Sequence, residues 1–259
     1  MDRFSCISPT ALIGEGTVVG RYVIIEDNVI IGKNCHISDY CRISGNVIIG
    51  DNNYIGPRVS ICGNTVIGNN NRIFDNCVIG LYSEHIGYHL YQGKVIIGNG
   101  NHICSGTTID CGNNFGKEEL LPYITEGIYP NDATVIGDRC FILQGVTIHH
   151  NCHIGLGYIP NSQVRDYDTV ICSSCCINGF AHVEKGAQLG CGTLVREWMV
   201  IASGAYIAMG EHIVKNVPPF IKVLKNRNQG IQDIRVKSFG LKHEDVETIK
   251  YCVAQDKFY

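Results

Sequence analysis

Residues 43–79 read ISGNVIIGDNNYIGPRVSICGNTVIGNNNRIFDNCVI and place an isoleucine at every sixth position. Aliphatic residues with the same spacing begin at Ile7 and, after three breaks, end at Ile213, which makes 28 hexads. A period of six does not match the 3.6-residue turn of an α-helix. It predicts an all-β solenoid, a coil of short parallel strands with three strands per turn. The 28 hexads correspond to about nine coils and a stack roughly 45 Å long.

The residue two before each aliphatic position must face the same way, because side chains alternate along a strand. This slot holds mostly small residues, including six of the 14 cysteines. We therefore interpret these cysteines as core residues of a narrow coil. Asn53, Asn71 and Asn101 occupy the same slot, and we expect them to pair along the stack because a buried amide needs partners.

The breaks in the period predict loops at 81–94, 110–133 and 156–169, where a solenoid commonly carries its function. Val217-Pro218-Pro219 predicts the end of the coil, since proline cannot continue a ladder. The sequence therefore divides into a β-helix domain over 1–216 and a helical C-terminal tail over 217–259. Within the tail we predict helices over Asn228–Phe239 and Lys242–Gln255.

Composition excludes several classes of protein. The chain has 259 residues, is 45% hydrophobic and 17% charged, and carries a net charge of −3, which favours neither nucleic acid nor an anionic membrane as a partner. No apolar run approaches the ~18 residues of a membrane span. The first residues lack the pattern of a secretory signal, so we expect a cytoplasmic protein.

Several motifs resemble a known family. The repeated [LIV]-G-x-x-x-x hexad is similar to that of hexapeptide-repeat acyltransferases. Residues 148–155 (IHHNCHIG) and 216–220 (NVPPF) resemble the acyl-ACP:UDP-N-acetylglucosamine O-acyltransferases of lipid A synthesis. The resemblance implies a left-handed parallel β-helix that forms a homotrimer. It also implies transfer of an acyl group from an acyl carrier protein or CoA thioester to a nucleotide sugar, in lipid A or surface polysaccharide synthesis, with no cofactor beyond that co-substrate.

By this resemblance the catalytic histidine of the family, in its segment H-I-A-H-D-C, falls on His150. An imidazole suits the role, because a pKa near 6.5 lets it accept a proton from an attacking hydroxyl or amine at neutral pH. The other histidines beside aliphatic positions are expected to point outward, as solvated or intersubunit residues. They are His36, His102, His149, His153 and His182.

Other family positions differ in this chain, and the resemblance implies that they contact substrate. Asp110 and His85 would contact the acceptor, and Thr147 replaces the second histidine of the catalytic segment. Arg196 and Glu197 replace the H-Q of the family's V-H-Q-F. These changes fit a different acceptor, such as a 3-amino sugar.

The resemblance places Arg196 on the donor side, together with two further positions. Met209 falls where the family sets acyl-chain length, so that it either shortens the acyl pocket or fills an irregular gap in the core. Arg227 would lie near the donor phosphate.

Three alternatives stay open at this point. An acetyl-CoA-dependent sugar acetyltransferase would share the fold and the base. A non-catalytic scaffold or sugar-binding coil would need no base at all. The third alternative is a zinc site formed by three histidines between subunits, as in gamma-class carbonic anhydrases. No pair of histidines in this chain matches that arrangement convincingly, so we predict no metal.

Overall fold

Each predicted hexad forms one short strand in the computed structural model, which describes residues 4–85, 93–114, 132–157 and 167–254. The strands lie in three parallel sheets, each one side of a three-sided β-helix. Each of the first 25 strands pairs in parallel with the strand three places later, as where Ile7 lies opposite Ile25. The predicted left-handed parallel β-helix is confirmed.

The first face contains, in order, β1 (Cys6–Ile7), β4 (Ile24–Ile25), β7 (Arg42–Ile43), β10 (Ser60–Ile61), β13 (Val78–Leu81), β16 (Thr108–Asp110), β19 (Thr147–Ile148), β22 (Cys176–Ile177), β25 (Leu194–Val195) and β28 (His212–Ile213). The second face contains β2 (Leu12–Ile13), β5 (Ile30–Ile31), β8 (Val47–Ile49), β11 (Asn64–Ile67), β14 (Lys94–Ile97), β17 (Ala133–Ile136), β20 (His153–Leu156), β23 (His182–Glu184) and β26 (Val200–Ile201).

The third face contains β3 (Val18–Val19), β6 (His36–Ile37), β9 (Tyr54–Ile55), β12 (Arg72–Ile73), β15 (His102–Ile103), β18 (Cys140–Ile142), β21 (Thr169–Ile171), β24 (Gln188–Leu189), β27 (Tyr206–Ile207), β29 (Ile221–Leu224) and β30 (Arg227–Ile231). Two helices follow, α1 (Asp233–Ser238) and α2 (His243–Ala254). None of the helices in the described part of the chain has the length and apolar character needed to span a membrane.

The core confirms the expected pairing of the inward asparagines. The Asn53 side-chain oxygen accepts from the Asn71 backbone N–H at 2.8 Å, and the Asn71 oxygen accepts from the Asn101 N–H at 2.8 Å. The Asn101 oxygen then accepts from the N–H of Cys140 at 2.7 Å. The buried amides thus satisfy backbone groups from coil to coil.

The six inward cysteines are buried and free, as expected of small core residues: Cys35, Cys41, Cys77, Cys140, Cys152 and Cys175. Burial raises the pKa of the Cys41 and Cys77 thiols to about 11. A neutral thiol in an apolar interior is unreactive, so these residues have a packing role.

The C-terminal prediction needs correction. The ladder continues past the two prolines, because β29 pairs in parallel with β27 and β30 folds back antiparallel on β29. The helix predicted from Asn228 is therefore wrong over 228–231, where the chain is a strand. Pairing with the open edge of the last coil overrides the weak helical propensity of RNQGI. The second predicted helix is confirmed by α2 up to residue 254, and residue 255 lies outside the described residues.

Arg235 of α1 connects the C-terminal tail to the coil through hydrogen bonds. Its guanidinium is buried and donates to the carbonyls of Gly204, at 2.8 Å, and Gly186, and to the side chain of Gln188 at 3.0 Å.

Most of the residues in the three predicted loops lie outside the described part of the chain, over 86–92, 115–131 and 158–166.

Candidate active site

A cavity of about 350 Å³ lies at the corner where the first face turns into the second. The turns that follow β13, β19, β22 and β25 form its walls. The lining residues are Glu84, His85, His149, His150, Asn178, Gly179, Phe180, Glu197 and Trp198. Three residues predicted from the sequence, His85, His150 and Glu197, therefore meet in one cavity.

His150 is held by neighbouring amides. Its side chain is buried, with Nδ1 3.1 Å from Asn151 Oδ1 and 3.2 Å from Asn113 Nδ2. Gly179 packs against the ring so closely that a Cβ there would lie 2.5 Å from His150 Cε1. A larger residue at 179 would displace the imidazole, which explains the glycine.

The hydrogen bonds around Asn151 favour one tautomer of His150. Asn151 Oδ1 accepts from the Asn113 N–H at 2.9 Å, and Asn151 Nδ2 donates to the Asn113 carbonyl at 2.9 Å. This reciprocal pair fixes the Asn151 amide, so its oxygen faces Nδ1 and accepts a proton from it. The Asn113 amide also donates to the Ser83 hydroxyl, and since that hydroxyl can equally act as donor, the Asn113 amide can turn its oxygen to Nδ1. Nε2 then carries the basic lone pair.

The adjacent histidines His149 and His150 differ in charge at pH 7. Burial lowers the pKa of His150, which is therefore neutral at pH 7. The hydrogen bond to Asp110, 2.9 Å from His149 Nδ1 to Oδ2, and a second one to Cys176 raise the pKa of His149 to about 10. The site thus holds a neutral base beside a fixed cation that is paired with a buried carboxylate.

An aromatic wall completes the cavity. Phe180 and Trp198 stack with ring centroids 3.8 Å apart and an interplanar angle of 9°. Phe180 also contacts the imidazole of His150 edge-on, with centroids 5.2 Å apart. His85 approaches the same imidazole from another direction, at 5.4 Å.

The remaining predicted residues lie away from these walls. Thr147 lies on the outer side of the first face, where its strand pairs with the strands of Thr108 and Cys176. Arg196 is exposed, 4.0 Å from Glu197. Met209 is 71% exposed, so it does not fill a gap in the core, and Arg227 is exposed on β30.

Asp110 and His149 also differ from expectation. Asp110 is not among the cavity-lining residues that the structure describes, and it acts on the site through His149. His149 is accordingly a half-buried member of an ion pair and not a fully solvated residue. His153, which we expected to be solvated or intersubunit, is buried against His182, with centroids 4.7 Å apart.

The pairing of strands in successive coils could have identified the site residues that the sequence reasoning missed. Ile109 lies opposite Ile148, so the residues that follow them, Asp110 and His149, must be neighbours. Phe180 and Trp198 each follow an inward aliphatic residue by three positions, and therefore occupy the same corner in successive coils.

A second cavity, of about 280 Å³, opens at the C-terminal end of the coil and is lined mainly by residues 212–218. It contains none of the predicted site residues. Within the described residues we find no group of three or more His, Cys, Asp or Glu side chains placed to hold a metal ion.

Comparison with known proteins defines the class. The sequence family described as bacterial transferase hexapeptide (six repeats) matches residues 10–45 and 46–81. Together with the three parallel sheets, this shows a left-handed β-helix built from hexapeptide repeats.

The predicted resemblance to UDP-N-acetylglucosamine acyltransferases is confirmed at the level of similarity. The chain is 27% identical over 181 residues to the acyl-[acyl-carrier-protein]–UDP-N-acetylglucosamine O-acyltransferase of Synechocystis sp., covering 69% of this chain and 56% of the relative. The enzyme of the same description from Pseudomonas fluorescens is 28% identical over 124 residues, which are 41% of this chain and 48% of that enzyme. The chain therefore spans about half the length of the curated relatives it matches.

Solved structures agree on the fold. The Arabidopsis UDP-N-acetylglucosamine acyltransferase superposes with a TM-score of 0.73 at 23% identity, covering 95% of this chain and 78% of that one. The Francisella novicida enzyme gives a TM-score of 0.70 at 24% identity, covering 97% and 78%. Identities this low establish shared architecture and leave the chemistry to be argued from the site.

Proposed function

We propose that this protein is an acyltransferase that moves an acyl group from a thioester, carried by acyl carrier protein or CoA, to a hydroxyl or amine of a nucleotide sugar such as UDP-N-acetylglucosamine or its 3-amino analogue. The observation that carries the proposal is His150, a neutral imidazole oriented by amides in the wall of a cavity. The names of the similar proteins support the same reaction class.

The chemistry follows from the two histidines. His150 Nε2 takes the proton from the acceptor O–H or N–H while the oxygen or nitrogen attacks the thioester carbonyl. The C–S bond then breaks, and the leaving thiolate takes that proton from His150, which restores the neutral base. The His149 cation next to His150 opposes its premature protonation, which keeps the base free at neutral pH.

The other residues have roles on either side of the base. We assign His85 and Glu197 to the acceptor, because both line the cavity. Thr147, Arg196, Met209 and Arg227 remain predictions for contacts with substrate. The acyl thioester is a co-substrate, and the reaction requires no resident cofactor.

The outer surface of the second face supports a homotrimer. The outward position of each strand on this face carries no formal charge, and we call this set the second-face stripe; Val135 and His153 are already buried within the chain and the others are exposed or half-buried: Leu12, Ile30, Ile48, Val66, Ile96, Val135, His153, His182 and Val200. The equivalent stripes of the other faces include Arg42 on the first and Arg72 on the third. Exposed Leu12, Ile48 and Val66 favour burial against another copy of this chain.

A trimer would place the cavity at the edge of an interface, since His150 lies in the corner that leads into the second face. Ile48→Glu should then dissociate the trimer, and light scattering would report the mass of a monomer. Arg42→Glu, the matched change on the first face, should leave the mass unchanged. A monomeric wild type would refute this part of the proposal. We expect the protein to act in the cytoplasm, where both co-substrates would be found.

The reaction is tested by incubating the protein with acyl carrier protein and CoA thioesters of several chain lengths and with UDP- and dTDP-sugars, followed by mass spectrometry of the products. His150→Ala should lower turnover by about 10²–10⁴-fold, and His36→Ala, on the outer side of the third face, should leave it unchanged. Turnover with acetyl-CoA alone would identify an acetyltransferase instead. A His150→Ala variant with full activity would remove the base from the mechanism.

A further inference from the structure

We propose that Cys176 is a second catalytic group, a thiol nucleophile that takes the acyl group from the donor before the sugar receives it. The inference rests on the proposed function and adds a covalent step to it. Cys176 is half-buried on the outer side of β22, and its thiol is hydrogen-bonded to His149, which is hydrogen-bonded to Asp110. A thiol, an imidazole and a carboxylate connected in series are the arrangement that activates a cysteine for acyl transfer.

The stacking of the coils brings the three residues together. On the first face Thr147 lies opposite Cys176, and the backbone N–H of His149 donates to the Ile177 carbonyl of the next coil at 2.9 Å. Residues two apart along a strand face the same side, so the His149 side chain points outward like that of Thr147. It therefore lies between Asp110, in the coil before it, and Cys176, in the coil after it.

The two ring nitrogens of His149 have separate partners. Nδ1 lies 2.9 Å from the Asp110 carboxylate, which leaves Nε2 for the Cys176 thiol. The Asp110 side chain is only 4% exposed, so its charge is poorly screened by water. The hydrogen bonds to Asp110 and then to Cys176 raise the pKa of His149 to about 10, and the imidazole is a cation at pH 7. A cation beside a thiol stabilises the thiolate, which is the reactive form.

The thiol lies directly behind the wall of the cavity that contains His150. The His149 imidazole lines this cavity, and so does Asn178, whose Oδ1 is 3.8 Å from Cys176 Sγ. One side chain therefore separates the sulfur from the space in which His150 would receive the acceptor. The exposed part of Cys176 faces outward from the first face, so a donor thioester can reach the sulfur from solvent.

The reaction then has two steps. In the first step the Cys176 thiolate attacks the donor carbonyl, the C–S bond of the donor breaks, and the leaving sulfur takes the Nε2 proton of His149. The products are a free thiol and an acyl thioester on Cys176. In the second step the acceptor attacks this thioester, His150 takes the proton of the attacking hydroxyl or amine, and the Cys176 thiolate leaves. The proton then passes from His150 to His149, which restores the starting state of all three groups.

The first experiment detects the acyl group on the protein. The full-length wild type is mixed with acetyl, hexanoyl and dodecanoyl thioesters of CoA and of acyl carrier protein, without any sugar nucleotide. Intact-mass spectrometry and peptide mapping should find a single acyl group, on Cys176, with release of an equal amount of free thiol. Neutral hydroxylamine should remove the group, as expected of a thioester. Adding UDP-N-acetylglucosamine or its 3-amino analogue should transfer it to the sugar.

Three variants separate the two steps. His150→Ala should acquire the acyl group on Cys176 at the wild-type rate and retain it when the sugar nucleotide is added. Cys176→Ala should carry no acyl group and lose at least about 10²-fold in turnover. Cys104→Ala is the control and should behave like the wild type. Cys104 is also half-buried, but burial alone shifts its pKa, upward, and it lines neither of the two cavities described above.

Iodoacetamide tests the activation of the thiol without any substrate. At pH 7 Cys176 should be alkylated faster than Cys104, as measured by peptide mapping over time. Asp110→Asn should slow alkylation of Cys176 by roughly tenfold and leave that of Cys104 unchanged, because the imidazolium is lost from one thiol only. Equal rates at Cys176 in the wild type and in Asp110→Asn would overturn the activation by His149.

The outcomes distinguish this inference from the proposed function. If the wild type acylates the sugar without ever carrying an acyl group on Cys176, or if Cys176→Ala keeps full activity, the transfer is direct. The nucleophile is then wrong and the proposed function survives. An adduct that forms more slowly than the enzyme turns over would also overturn the inference, since it would be a side reaction. If the adduct forms as expected but neither UDP- nor dTDP-sugars remove it, the covalent step is supported and the proposed acceptor fails.

Discussion

Replacing Asp110 by asparagine tests the electrostatics of the site without any substrate. The carboxylate lies 2.9 Å from His149 Nδ1, and its side chain is 4% exposed. The pKa of His149 rises from 6.5 to about 10, which corresponds to about 5 kcal/mol between its charged and neutral forms. Water reaches a fifth of the imidazole, so we discount this to about 2 kcal/mol of stability at pH 7.

The pH dependence has a definite sign. The folded pKa of His149 lies above the unfolded value, so the native state retains a proton that the unfolded chain releases. The stabilisation is complete below pH 6.5, decreases as the pH rises from 6.5 towards 10, and is lost above it. In Asp110→Asn the neutral amide gives no charge attraction and only the smaller effect of Cys176 remains, so most of this decrease should disappear.

Urea unfolding followed by circular dichroism at pH 6.5, 8 and 9.5, at one protein concentration, measures the effect. Histidine resonances in NMR report directly whether His149 is charged at pH 8. Asp39→Asn is the control, since Asp39 pairs with Arg21 on the surface at 3.1 Å and should not change the pH slope. A wild-type His149 that titrates near 6.5, or equal slopes in wild type and Asp110→Asn, would refute the reasoning.

Three further predictions concern the fold. Asn71→Val should lower the free energy of unfolding by about 2–4 kcal/mol in urea, because it leaves the Asn101 N–H and a Gly98 carbonyl without their buried partner; a loss below about 1 kcal/mol would contradict the asparagine ladder. Burial lowers the pKa of His153 to about 4, so protonation favours unfolding as the pH falls from 6.5 to 4. His153→Val should therefore remove up to about 3 kcal/mol of the acid-induced loss of stability, and equal acid sensitivity in both proteins would exclude His153 as its source. Arg235→Met should raise hydrogen exchange in α1 and α2 while the coils stay protected, and unchanged exchange would show that the guanidinium does not hold the tail.

The strand pattern was predictable because the determinants of a β-helix are local. An isoleucine every sixth residue, with a small residue two before it, decides which side chains face inward whatever the rest of the chain does. Asn53 and Asn71 could be expected to bridge coils for the same reason. The error over 228–231 has the opposite cause, since the strand there exists only because β29 offers it an edge.

The site was predicted in part. His150 was assigned through resemblance to a family, and His85 and Glu197 do share its cavity. The pairing of Asp110 with His149 connects residues 39 positions apart, across a break in the period that obscures which coil stacks on which.

The sequence alone thus determined a three-sided coil, its inward residues and one histidine at a corner. Only the tertiary structure decided that this histidine is neutral, that its neighbour is charged and that Phe180 and Trp198 form a wall beside it. The physical reason is that inward or outward orientation depends on the alternation of neighbouring residues. The protonation state and the contacts of a corner residue depend instead on which side chains the coils above and below bring against it.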